Sequence, residues 1–193
     1  LVPQLLAKIC DPSNNYKLLG KFTILYALQS KACSKHQLLV LQRAIFARLP
    51  VDIPFLVSLI QAWPNSDSGF FDPVLVQVVD NSNEVCENAN LLFVLLTRIS
   101  KISSPHVKTI FVVAAESLLQ SSAKLRDYST LQLVGLANAF SRVCPENLEL
   151  FRALGDELVQ CDDQWTPRVF VTCVSAFARA EVLHEDLADV WRR

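Results

Sequence analysis

Methionine is absent from all 193 residues, glycine occurs only 4 times, and the two charge signs nearly cancel. Four glycines are too few for most nucleotide-binding α/β folds, which use glycine for phosphate loops and tight turns. They are also too few for a turn-rich β-sandwich. Eighteen Lys+Arg against nineteen Asp+Glu leave a net charge of −1, so no global basic field announces nucleic acid and no polybasic surface announces a membrane. No apolar run has the ~18 residues of a membrane span: the longest candidate, Leu91 to Leu96, is broken by Thr97 and Arg98. A soluble or peripheral protein without membrane insertion is expected. A chain that starts at Leu1 and lacks Met is expected to be processed or partial, as is the C-terminus at Arg193, so a lost targeting peptide is uninformative.

Chemistry-bearing motifs are missing too. The sequence has no G-x-S-x-G, H-E-x-x-H, P-loop or G-x-G-x-x-G. Asp162-Asp163 and Glu185-Asp186 read as loop and first-turn acids, and nothing near His184 supplies a nucleophile. No catalytic residue, cofactor or small-molecule substrate is expected. The six cysteines (Cys10, Cys33, Cys86, Cys144, Cys161, Cys173) form no C-x-x-C, and His36, His106 and His184 keep no ligand-like spacing to them. They read as reduced thiols in an intracellular or organellar compartment, with no metal; Cys33, Cys144 and Cys173 fall in or beside apolar stretches.

What is present is an apolar half, 51% of the chain, arranged with a period. The segment Leu133 to Arg142 lies 37 residues before Phe170 to Arg179, pairing Leu133 with Phe170, Ala139 with Ala176, Phe140 with Phe177 and Arg142 with Arg179. Further back, Ile99, Trp63 and Leu28 take the Phe140 position, giving marker spacings of 35, 36, 41 and 37. Leu133, Leu136, Ala137 and Phe140 make one amphipathic stripe, and Leu148, Phe151, Leu154 and Leu158 make the next. Ser129-x-x-Gln132 reads as a capping box, while Asp72-Pro73, Ser104-Pro105 and Thr166-Pro167 read as helix starts. Pro54, Pro64, Pro73, Pro105, Pro145 and Pro167 are expected between helices. Polar stretches at 64–69, 80–84 and 120–124 read as linkers, the last as a loop insertion.

The fold expected is all-α: a solenoid of about five stacked helical hairpins in one array over 1–193, with approximate units 14–50, 51–87, 88–127, 128–164 and 165–193. A two-helix unit of this size cannot bury its apolar face alone, so neighbours must stack.

Residues 128–191 resemble the heptatricopeptide and octotricopeptide repeats of organellar proteins, whose first helices read roughly Q-x-L-A-N-x-x-x-A-F-A. Gln132 to Ser141 carries much of that pattern, Val174 to Ala178 carries its tail, and Leu150-Phe151-Arg152-Ala153-Leu154 resembles the L-F-x-x-L of the second helix. The RAP domain that often follows such arrays has no counterpart segment here. The resemblance implies a mitochondrial location and binding to organellar RNA, including ribosomal RNA as a structural ribosome subunit among ribonucleoprotein neighbours.

In that case first helices should line the binding surface. Lys101, Arg142 and Arg179 share one position two residues after the marker, with Arg98, Arg168 and Lys31 nearby, so these six are the expected phosphate contacts. A cation in a last helical turn also simply complements the helix dipole. Asn138 and Ser175 are equivalent candidates for base contacts. Phe140, Phe177 and Trp63 read as core rather than stacking platforms. The competing function is a protein-binding scaffold of the same architecture that grips a partner helix or peptide; the net charge favours it, and the arginine row favours RNA.

Overall fold

The structure, a computed structural model, describes residues 4, 24, 25, 28, 33–47, 49, 51–64, 68–120, 122–161 and 165–192. Among them the chain is helical and contains no strand. Eleven helices follow in order: α1 (Lys35–Phe46), α2 (Ile53–Ala62), α3 (Ser68–Asp80), α4 (Ser82–Glu87), α5 (Ala89–Ile99), α6 (Pro105–Leu119), α7 (Ser122–Arg126), α8 (Thr130–Val143), α9 (Leu148–Val159), α10 (Pro167–Arg179) and α11 (Glu185–Arg192). Lys31, Cys10, the Asp162-Asp163 pair and most of the segment leading to Leu28 lie outside the described residues.

The caps explain most of the boundaries. Ser129 accepts from Gln132 N while the Gln132 side chain accepts from Ser129 N, the expected capping box. Ser34 and Gln37 form a second one at the start of α1. Thr166 and Ser104 cap α10 and α6, each with proline at the first turn; such caps contribute about 1 kcal/mol each.

Pro73 departs from expectation. It does not start a helix but sits inside α3. Proline has no N–H to give to the carbonyl four residues back, here Gly69 O. That oxygen accepts instead from Gln42 Nε2 of α1 at 3.1 Å, so the helix runs through. The polar stretches read as linkers at 80–84 and 120–124 also contain helix, the short α4 and α7.

Two rows organise the packing. α2, α5, α8 and α10 contact one another in that order, and so do α3, α6, α9 and α11. Rungs between the rows come from α2 on α3, α5 on α6 and α8 on α9. Inter-helix hydrogen bonds show that members of the first row run the same way. Asn90 and Gln132 join at 3.1 Å near the starts of α5 and α8, and Arg98 joins the end of α5 to the end of α2.

The core lies between the rows. Phe70, Phe71, Phe111, Phe140 and Phe151 are fully buried, as are Leu41, Leu56, Leu96 and Leu154. Edge-on pairs tie the layers: Phe111 with Phe140 at 4.8 Å and Phe151 with Phe177 at 5.6 Å, geometries that aromatic quadrupoles favour. Trp63 stacks on Phe70 at 3.6 Å. The marker positions Leu28, Trp63, Ile99, Phe140 and Phe177 are all buried.

Two glycines allow close approach within the rows. A Cβ at Gly135 would come within 2.7 Å of the Phe93 ring of α5, and one at Gly155 would run into the His184 ring, 2.7 Å from Nε2 and 2.8 Å from Cγ. α10 ends in a Schellman turn, with Val182 N bonded to Phe177 O and Glu181 N to Ala178 O. Glu181 holds φ 56°, a left-handed position that glycine favours and that costs another residue about 1 kcal/mol.

Candidate nucleic-acid interface

Charge is divided between the two rows. Within α2, α5, α8 and α10 there is no aspartate or glutamate, while Arg98, Arg142, Arg168 and Arg179 are all present. The other row carries Asp72, Asp80, Glu116, Glu149, Asp156, Glu157, Glu185, Asp186 and Asp189 against Lys108, Arg152 and Arg192. Net charge near zero therefore conceals one cationic and one acidic row. This signal was legible in the sequence once units were superposed, and summing charge over the chain hides it.

The candidate cations occupy different settings. Arg142 is exposed in the last turn of α8, Arg168 is exposed in the first turn of α10, and Lys101 is exposed in the turn after α5. Arg179 ends α10; its Nε donates to Ser175 O at 3.0 Å and a terminal nitrogen donates to Asn138 Oδ1 at 2.7 Å. Two expected site residues, Arg179 and Asn138, are thus joined across adjacent helices. The guanidinium is held at the surface with part of its donor fork still facing water, since the side chain is exposed.

Arg98 is different. Half-buried, it donates from Nε to Ile60 O at 3.1 Å and from a terminal nitrogen to Trp63 O at 2.6 Å. Its guanidinium carbon sits 5.8 Å from the Phe71 ring centre. The last carbonyls of α2 lack partners within their own helix, and Arg98 supplies them. Its place near Lys101 on a first helix put it among the expected phosphate contacts; in the structure it lies against the preceding helix of the row.

Asn138 is half-buried with its carbonyl oxygen committed to Arg179, and Ser175 is exposed on α10 with its backbone oxygen also taken by Arg179. Asn90 and Gln132 were not anticipated. Their side chains bond across the starts of α5 and α8 and extend the polar line on this face; their signal is two amides at matching first turns.

Three thiols are held in the protonated form by their surroundings. Burial pushes Cys173 up to about 12 and raises Cys144 and Cys86, so these groups stay protonated at neutral pH. Among the described residues Cys86, Cys144, Cys161 and Cys173 form no disulfide. Burial likewise pushes Tyr128 up to about 12. On the acidic row, Lys108 and Glu146 pair at 2.9 Å; their shared hydrogen bond raises the lysine and lowers the carboxylate. Among the described residues no group of three His, Cys, Asp or Glu is placed to hold a metal, and no helix is long and apolar enough to cross a membrane.

Comparison of the chain with protein-family models, curated proteins and solved structures gives no match.

Proposed function

We propose that the chain is a non-catalytic solenoid of about five hairpins, with a 35–41-residue period, that binds organellar RNA along its first-row helices. The observation that carries this is the set of first-row helices, free of aspartate and glutamate, that bear exposed Arg142, Arg168 and Arg179, with exposed Lys101 in the turn after α5. Phosphates repel carboxylates and attract a spaced line of cations. Such a line follows a backbone whatever the net charge of the whole protein. Arg98 supports the row from beneath by fixing α5 on α2, and Asn138 aims Arg179. The serial contacts within each row support the stacked-hairpin reading. The resemblance of residues 128–191 to organellar repeat proteins supports ribosomal RNA of a mitochondrial ribosome as the partner, with neighbouring ribonucleoprotein subunits around it.

The test is simultaneous charge reversal of Lys101, Arg142 and Arg179. Each lost phosphate contact lowers the slope of log affinity against log salt by about 0.7–0.9, so the triple variant should show a slope smaller by roughly 2 to 3 and much weaker binding. Unchanged RNA association would remove these contacts from the proposal. Sequencing of RNA co-purified with the chain tests which RNA is bound.

A second reading is a scaffold that grips a partner helix. Leu131 favours it, standing 61% exposed in the first turn of α8. Leu131→Glu would abolish peptide capture, and would weaken RNA binding only modestly through charge.

A further inference from the structure

Between α6 and the turn that joins α8 to α9 lies a cleft of about 400 Å3. Buried Phe111 and Cys144 form its floor. Its walls are Val112 of α6, 44% exposed, and Leu148 in the first turn of α9, 45% exposed. Lys108 of α6 pairs with Glu146 of the turn at 2.9 Å, which ties the two sides together and uses the lysine of this stripe. In the second row α3 packs on α6 and α11 packs on α9, so the cleft lies inside the array and not at an end of it.

The charge left at the rim is negative. Glu149 follows Leu148 on α9, and Glu116 stands one turn beyond Val112 on the same stripe of α6. Both are exposed and neither makes an ion pair among the described residues. Within α3, α6 and α9 the lysines and arginines are Lys108, already paired, and Arg152. The pattern of α6 is repeated on α3, where exposed Val76 and Asp80 lie 36 residues before Val112 and Glu116. Asp80 and Glu116 fall in the last turns of their helices, where the helix dipole disfavours a negative charge. Helix stability therefore does not explain these acids.

We propose that this cleft docks a cationic amphipathic helix of a protein partner. One large apolar side chain of that helix fills the space between Val112 and Leu148. Its lysines or arginines, three or four residues to either side on the same face, meet Glu149 and Glu116. Charge selects this occupant, because an acidic rim repels RNA phosphates and anionic lipid headgroups alike. An apolar anchor in a cleft with charges around it is the pattern of helix-in-groove recognition. The face belongs to the second row, so the inference stands apart from RNA binding and from any contact through Leu131.

Fluorescence anisotropy of a labelled peptide of about 14 residues, with leucine and lysine at helical spacing, tests it on the whole chain. The chain should bind this peptide saturably and should not bind one with glutamate in place of lysine. Val112→Ser with Leu148→Ser should weaken binding about tenfold or more. Glu116→Gln with Glu149→Gln should weaken it about three- to tenfold and reduce its sensitivity to salt. The glutamine pair is isosteric and exposed, which keeps the test decisive should the serine pair lose its fold. Leu183→Ser, at an exposed leucine that lines no part of the cleft, should leave binding unchanged. Absence of saturable binding overturns the proposal, as does equal binding of the glutamate peptide or indifference to the glutamine pair. A concentration-dependent dimer of the chain that the serine pair dissolves overturns it in favour of a second copy.

Discussion

Arg179 reaches back from the end of α10 to Asn138 of α8, with nitrogen and oxygen 2.7 Å apart. A charged donor gains more from such a bond than a neutral one, typically ~1.5–3 kcal/mol when shielded, but both residues here touch solvent and the gain is smaller. Its larger consequence is directional. An arginine free to swing samples many rotamers, and under the RNA binding proposed above each one lost on association reduces affinity. Asn138→Ala should therefore lower RNA affinity by about two- to fivefold with little change in melting temperature. Filter binding beside thermal unfolding measures both, and a large stability loss with unchanged affinity would contradict the positioning role.

Arg98 should behave as a stability residue. Replacing it with methionine leaves the Ile60 and Trp63 carbonyls without their donors and should destabilise by about 2 kcal/mol. Lysine should recover only part, because a single ammonium cannot satisfy two carbonyls with a planar fork. Urea unfolding of the two variants measures the difference; equal stability of wild type and methionine variant would refute it.

Gly155→Ala should destabilise by about 1–2 kcal/mol, the overpacking penalty less the helix-propensity gain of alanine. The new methyl meets the His184 ring, which cannot swing aside freely. Its Nδ1 accepts from Leu187 N at 3.3 Å, and its Nε2 lies 3.1 Å from Asp156 Oδ1. Adding His184→Ala should remove the clash, so the double variant should be less destabilised than the two single effects predict. Gly135→Ala is the milder case, because only the edge of the Phe93 ring stands in the way.

Alkaline pH should loosen the fold. Cys173 is pushed from about 9 in the unfolded chain to about 12 in the folded one, and Tyr128 from about 10 to about 12, both through burial. The folded state keeps protons that the unfolded state releases, so their contribution is complete below pH ~9 and is lost progressively up to about 12. Denaturant midpoints measured across that range should fall, and Cys173→Ala should flatten part of the fall while lowering stability at neutral pH. A Cys173→Ala curve parallel to wild type would count against the thiol.

The periodic stripes and the caps were legible from sequence because they depend on neighbours three and four residues apart. Ser129 with Gln132, Thr166 before Pro167 and Ser104 before Pro105 all cap as their spacing implies. Pro73 misled because its rescue comes from Gln42, 27 residues from the carbonyl it serves, a distance no local pattern contains. The helices α4 and α7 were read as linkers since five or six residues are too few to show a stripe. At the candidate site, Arg142 and Arg168 are exposed. The setting of Arg98 was hidden because two main-chain oxygens on another helix decide it.

The latch between α5 and α2 grips atoms that every amino acid carries. Substitutions at Ile60 or at Trp63 would leave those oxygens in place so long as the backbone holds its course. Selection acting through such a contact protects the donor and is blind to the identity of the acceptor. The sequence of α2 can then change while its docking on α5 is kept.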